Sequence, residues 1–236
     1  MPTTNAAAIT ENGVLATSSP GVTYVGLSNG CAVYAIGSGH YVWSSPFTIL
    51  LAVNNVIITT TNQVGSGTGP FTPSWTAVTN GSLIAGRSPS SMSGNFSMEP
   101  YLGSRNVNSL TGGGNLAIAA GGSPKTTSTN YVTCGNGNGA GSSVTYTLTG
   151  SAIGYDLTNI VVYGGWGDNG RDQQAYTVYY STVAAPMNFI LLSRINFNPS
   201  IASGLQSATR VAMTPAFGPL ASHVGMVKFD FTSPNS

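Results

Sequence analysis

Charge is what this sequence has least of. Of its 236 residues only 6% are Asp, Glu, Lys or Arg, where a folded chain usually carries about 25%. The seven basic residues, Arg87, Arg105, Lys125, Arg171, Arg194, Arg210 and Lys228, are scattered, and the net charge is +1. No basic arm or patch forms, so the sequence excludes nucleic acid as a partner, a genome-packaging capsid included. Six acids in the whole chain leave little with which to tune a catalytic carboxylate.

Cysteine is nearly as scarce, with only Cys31 and Cys134. Two thiolates cannot complete a zinc site. They suffice for one disulfide, Cys31–Cys134, which suits an exported protein; two buried free thiols are the other reading. Long apolar runs are also missing. The longest, FTILLAVNNVII from Phe47 to Ile58, is interrupted by Asn54 and Asn55. It falls short of the roughly 20 residues that span a bilayer, so no membrane span is expected. The opening MPTTNAAAITENG has neither a basic segment nor an apolar one of the signal-peptide kind, and Met1 is read as the start of a mature secreted chain. Helical periodicity is almost absent.

What remains is 41% apolar residues set among Ser, Thr, Asn and 31 Gly. Such a chain folds, because low charge and ample apolar content oppose disorder. Its surface is neutral and rich in hydroxyls and amides, as on extracellular binding modules, adhesins and fibres. Short β-branched and aromatic runs sit between turn residues: VTYVGL at 22–27, AVYAIG at 32–37, SVTYTL at 143–148, NIVVYG at 159–164, AYTVYYS at 175–181, NFILLSRINF at 188–197, TRVAM at 209–213 and GMVKFDF at 225–231. Period 2 places Val144, Tyr146 and Leu148 on one buried face. It also buries Val227, Phe229 and Phe231, and sends Lys228 and Asp230 to water. The pattern predicts an all-β fold, an antiparallel β-sandwich or jelly roll with long Gly/Ser/Asn-rich loops.

A single domain, 1–236, is expected. Residues 1–64 supply N-terminal strands wrapped on the core, 65–142 are loop-rich, and 143–236 form the best-defined sandwich half. Trp75, Phe96, Tyr101, Leu110 and Ile118 recur as anchors in the loop-rich part. The uncharged strands between Val22 and Ile36 need partners for their backbone groups. These partners are expected beside the closing strand Gly225–Phe231 or on a neighbouring subunit.

The segment GGWGDNGRDQQAYTVYYS, Gly164–Ser181, gathers Trp166, Asp168, Asn169, Arg171 and Asp172 between two strands. Preceded by YDLTNIVVY and followed by NFILLSRINF, TRVAM and VGMVKFDF, it resembles the galactose-binding-like β-sandwich superfamily, which holds discoidin domains and many carbohydrate-binding modules. The resemblance covers Tyr155–Phe231 and implies the sandwich; its members include lectins, lipid binders and structural domains.

Read from the residues, these five side chains form a ligand site. An indole stacks on a sugar face, while carboxylates and a guanidinium bond vicinal hydroxyls. Asp168 and Asp172, with the Asn169 carbonyl, could instead hold a structural calcium. The structural alternative has Arg171 pairing with an aspartate to pin a hairpin, and Trp166 packing on the sheet edge. A glycosidase would need two carboxylates about 5–9 Å apart, and no other catalytic constellation accompanies Asp168 and Asp172. GSGTG at 65–69 and GNGNGAG at 135–141 lack a following helix or lysine and are read as flexible turns, not phosphate loops. His40, beside Tyr41 and Trp43, could line a groove. Asn80 and Asn95 head glycosylation sequons.

The functional expectation is a secreted, extracellular, non-catalytic glycan-binding β-sandwich that requires no cofactor and binds through a loop at one end of the sandwich. The alternatives are a self-assembling subunit of a fibre or surface layer, and a polysaccharide-acting enzyme.

Overall fold

The computed structural model describes residues 6–28, 31–44, 55–77, 80–94, 96, 107–112, 116, 118, 132, 141–168, 170 and 172–231. The protein is all-β with antiparallel sheets. Its helical content among the described residues is three 3-10 turns, Ala6–Ala8, Ala16–Ser18 and Val107–Thr111. The chain divides into two compact units, Met1–Asn54 and Asn55–Ser236.

The N-terminal unit holds β1 (Thr10–Glu11), β2 (Val14–Leu15), β3 (Val22–Ser28), β4 (Cys31–Ile36) and β5 (Trp43–Ser44). β1 lies between β2 and β5, and β3 pairs with β4. Asn12 and Gly13 turn the β1–β2 corner at φ 45° and 82°, the left-handed pair that a two-residue hairpin demands. Among the described residues the core here is Ile9, Ala16, Val22 and Ala32, with Tyr34, Tyr41 and Trp43 packed against it. Cys31, half-buried at the start of β4, is a free thiol; its expected partner, Cys134, lies outside the described residues.

The C-terminal unit holds β6 (Val56–Val64), β7 (Ser91–Ser93), β8 (Ser143–Thr147), β9 (Tyr155–Leu157), β10 (Ile160–Trp166), β11 (Gln174–Thr182), β12 (Ala185–Phe197), β13 (Ser207–Pro215) and β14 (Ala221–Asp230). One sheet runs β12-β11-β14-β8-β7, with β9 also on β14; the other runs β10-β13-β6. A single core fills the space between them. Val211 and Met213 from β13 meet Val144 and Tyr146 from β8, Tyr176 and Val178 from β11, and Val224, Val227 and Phe229 from β14. Interdigitated inner faces of two sheets are what hold a sandwich together.

The alternation expected at 143–148 and 225–231 is present. Val144, Tyr146, Leu148, Val227, Phe229 and Phe231 are all buried. Lys228 and Asp230 take the opposite face and pair with each other at 3.2 Å. Of the loop anchors, Phe96 and Ile118 are buried, Trp75 is half-buried and Leu110 is exposed; Tyr101 lies outside the described residues.

The pairing of 22–36 with the closing strand Gly225–Phe231 is corrected. β14 is flanked by β11 on one side and by β8 and β9 on the other, so its backbone groups are already taken. β3 and β4 pair with each other instead, with Val22 opposite Ile36 and Tyr24 opposite Tyr34, which occupies one edge of each strand. A local hairpin closes a short loop, which costs less entropy than a distant pairing.

Candidate functional site

Two places carry the side chains that the sequence singles out, one in each unit. The first is the segment between β10 and β11. β10 pairs with β13 in one sheet, whereas β11 pairs with β12 and β14 in the other. The chain therefore leaves one sheet after Trp166 and enters the other at Gln174, an arch between sheets in place of the hairpin expected from the sequence. The paired glycines before the arch have a steric reason. A Cβ on Gly164 would stand 2.8 Å from Thr209 Oγ1, and one on Gly165 would stand 2.7 Å from Ile118 Cδ1 and 2.8 Å from the Ser207 carbonyl.

The crossing is tied down from within. Gln174 donates through Nε2 to Thr209 Oγ1 at 3.0 Å and to the Val162 carbonyl at 3.3 Å. Tyr176 Oη donates to Gln174 Oε1 at 3.0 Å. Thr209 Oγ1 donates to the Asp172 carbonyl at 3.1 Å. These bonds link β11 of one sheet to β10 and β13 of the other. Each satisfies a polar group that would otherwise be buried at a cost.

The expected ligand residues are not displayed together. Trp166 is only 5% exposed and Asp172 only 1%, so neither side chain can meet a sugar at the surface. Burial of the large indole ring removes much apolar area from water, which favours the inward position of Trp166. Asp168 is half-exposed, and its Oδ1 accepts the Gly170 N–H at 2.9 Å, a local turn that stiffens the arch. Asn169 and Arg171 lie outside the described residues. Burial pushes the Asp172 carboxyl above its ordinary range, and the nearby Asp168 charge adds to this. Ser207 lies close enough to favour the ionised form. Even so, neither carboxylate oxygen has a hydrogen bond of good geometry among the described residues. No group of three or more His, Cys, Asp or Glu side chains converges among the described residues. Here the calcium reading rests on Asp168 and Asp172 alone.

The glycine loop at 65–69 is pinned, which revises the flexible turn expected there. The buried Gln206 accepts the Gly67 N–H through Oε1 at 2.7 Å and donates through Nε2 to the Gly69 carbonyl, while Gly65 N–H bonds the Gln206 carbonyl at 2.9 Å. Nothing local in GSGTG points to a partner 139 residues away.

The second place is a strip of four rings in the N-terminal unit. Tyr24 and Tyr34 are register partners on β3 and β4, with ring centroids 5.4 Å apart and planes at 59°. Tyr34 and Trp43 follow at 5.2 Å and 41°, then Tyr41 and Trp43 at 6.2 Å and 29°. Tyr24 is 39% exposed; the other three are half-buried over the small core. Burial raises the Tyr34 hydroxyl above its ordinary value, and Tyr24 adds to the rise. Tyr41 is held by its hydroxyl, which donates to the Gly37 carbonyl at 3.2 Å. Its ring lies so close to Gly39 that a Cβ there would come within 3.1–3.2 Å of ring carbons and the hydroxyl. His40 is exposed beside it. Glu11, buried on β1 opposite Trp43, accepts the Val42 N–H through Oε1 at 3.4 Å.

The sequence drew attention to His40, Tyr41 and Trp43, and the structure brings the Tyr41 and Trp43 rings together. The sequence did not single out Tyr24 and Tyr34, although each sits at an inward period-2 position with Val22 and Ala32. Only the β3–β4 register brings them together. No family model, curated protein or solved structure matches the chain.

Proposed function

We propose that the chain is a secreted, non-catalytic β-sandwich protein that binds glycans, and that the aromatic strip Tyr24, Tyr34, Trp43 and Tyr41 is its binding surface. The observation that carries this reading is the row of adjoining rings left partly open on the N-terminal unit. Aromatic faces offer rigid apolar area to the C–H face of a pyranose. The hydroxyl- and amide-rich surroundings suit a ligand made of hydroxyls. Stacking of this kind gives weak affinity, in the range of about 10 µM to 1 mM.

Glycan-array binding of the full chain, repeated with Trp43→Ala and with Asp168→Ala, tests it. The strip variant should lose binding and the arch variant should keep it. The reverse result would return the site to the arch.

A second reading, assembly into a fibre or surface layer, is favoured by one observation. At the outer edges of the two sheets, β6 is uncharged, and the only charge on β12 is Arg194. Ile57, Ile58, Met187, Ile190 and Leu191 are exposed on them, and uncharged edges invite strand addition. Electron microscopy at high protein concentration decides: ordered filaments would favour assembly, and single particles would remove its support.

A further inference from the structure

We infer that the strip takes uncharged glycans as single, dispersed chains and rejects both acidic polysaccharides and crystalline faces; this rests on the glycan-binding reading above. Charge decides the first half. A uronate or sulfate is recognised by Arg or Lys through charge-assisted hydrogen bonds. No Lys or Arg occurs anywhere before Arg87, so the unit that carries the strip has none to offer. The faces of the rings are themselves the negative end of the aromatic quadrupole. The one acid of the unit, Glu11, is buried on the strand paired with Trp43. All three features oppose an anion and leave a neutral sugar unaffected.

Ring geometry decides the second half. A crystalline polysaccharide presents a flat face, and only coplanar rings can all lie on one. Tyr24 and Tyr34 meet at 59° and Tyr34 and Trp43 at 41°. The nearest to parallel is Tyr41 against Trp43 at 29°. No plane touches all four faces. A dispersed chain rotates about its glycosidic bonds and can present successive sugars to rings at different tilts. Exposed Ser38 and His40 precede Tyr41 in sequence and supply the short polar groups that orient hydroxyls.

The test is native affinity electrophoresis of the full chain at low ionic strength. The gels contain soluble galactomannan, xyloglucan or mixed-linkage glucan as neutral probes, and alginate or polygalacturonate as acidic ones. Co-sedimentation with microcrystalline cellulose is run in parallel. At least one neutral polymer should retard the chain. Tyr24→Ala, at a site exposed enough to keep the fold, should weaken that retardation about tenfold, the loss of one stacking contact. The acidic polymers should leave mobility unchanged, and the powder should not deplete the protein. Retardation by an acidic polymer, or depletion by cellulose, overturns this inference and leaves glycan binding standing. No retardation or depletion by any probe overturns the glycan-binding reading itself, and the inference with it. Retardation by a neutral polymer that Tyr24→Ala does not weaken places the binding elsewhere and also overturns the inference.

Discussion

Trp43 and Trp166 end in opposite surroundings, and the contrast separates the two units. Trp166 stands at the end of β10, opposite Ser207 of β13, and is buried. Among the described residues, Trp43 stands over a core of Ile9, Ala16, Val22 and Ala32. Fully burying an aliphatic side chain contributes about 1.5–3 kcal/mol, so Ile9 and Val22 provide only a few. The rings of Tyr34, Tyr41 and Trp43 must then complete the small core, yet no second layer covers them among the unit's described residues. The C-terminal unit withdraws Trp166 from the surface. The N-terminal unit keeps its aromatic rings at the boundary with water.

The strongest way to break this comparison is Trp166→Ala. If the indole is a packing element, the variant should lose about 3–5 kcal/mol of stability, read as a fall in the urea midpoint at unchanged slope. Glycan affinity, measured where the variant is still folded, should hold. A variant of wild-type stability that no longer binds would put the site back in the arch.

The buried acid gives a sharper, smaller effect. Because the folded Asp172 carboxyl is raised above its ordinary value of 3.8, the folded state binds more protons than the unfolded one across that interval. Stability due to this group is therefore fully present below 3.8, falls as pH rises through the raised value, and then levels off. Asp172→Asn should remove that decline, so the difference in urea midpoint between variant and wild type should grow with pH across the window and then stay constant. A difference that is flat or reversed in sign would mean that the folded protein pairs the carboxylate with a cation.

The smallest effect is expected at Gly39. A Cβ there meets the Tyr41 ring at 3.1–3.2 Å, close enough to shift the ring by a few tenths of an ångström. Gly39→Ala should change melting by no more than a few degrees while weakening glycan binding severalfold. Equal binding by variant and wild type would show that Tyr41 is not part of the strip.

Much of the fold was legible because its signals are local. Alternation in SVTYTL and GMVKFDF placed Val144, Tyr146, Val227 and Phe229 inside, and β-branched runs between turn residues marked β3, β4, β8 and β10 to β14. Less of the site could be read. Trp166, Asp168 and Asp172 are neighbours in sequence, and that closeness suggested a shared surface. Solvation decides otherwise, since each side chain settles according to what packs against it from distant strands. Gln174 and Gln206, polar residues in unremarkable positions, proved to hold the arch and the glycine loop. Their partners, Thr209 and Gly67, lie 35 and 139 residues away.

By itself, then, the sequence determined the class of structure: a neutral, folded, all-β chain without a basic surface, because composition and a two-residue period act within a few residues. Tertiary structure alone decided which strands share a sheet. That choice turned the segment after Trp166 into an arch between sheets and brought Tyr24 against Tyr34. Backbone donors and acceptors on any strand can pair with those on any other, and only the joint burial of apolar faces selects among the pairings.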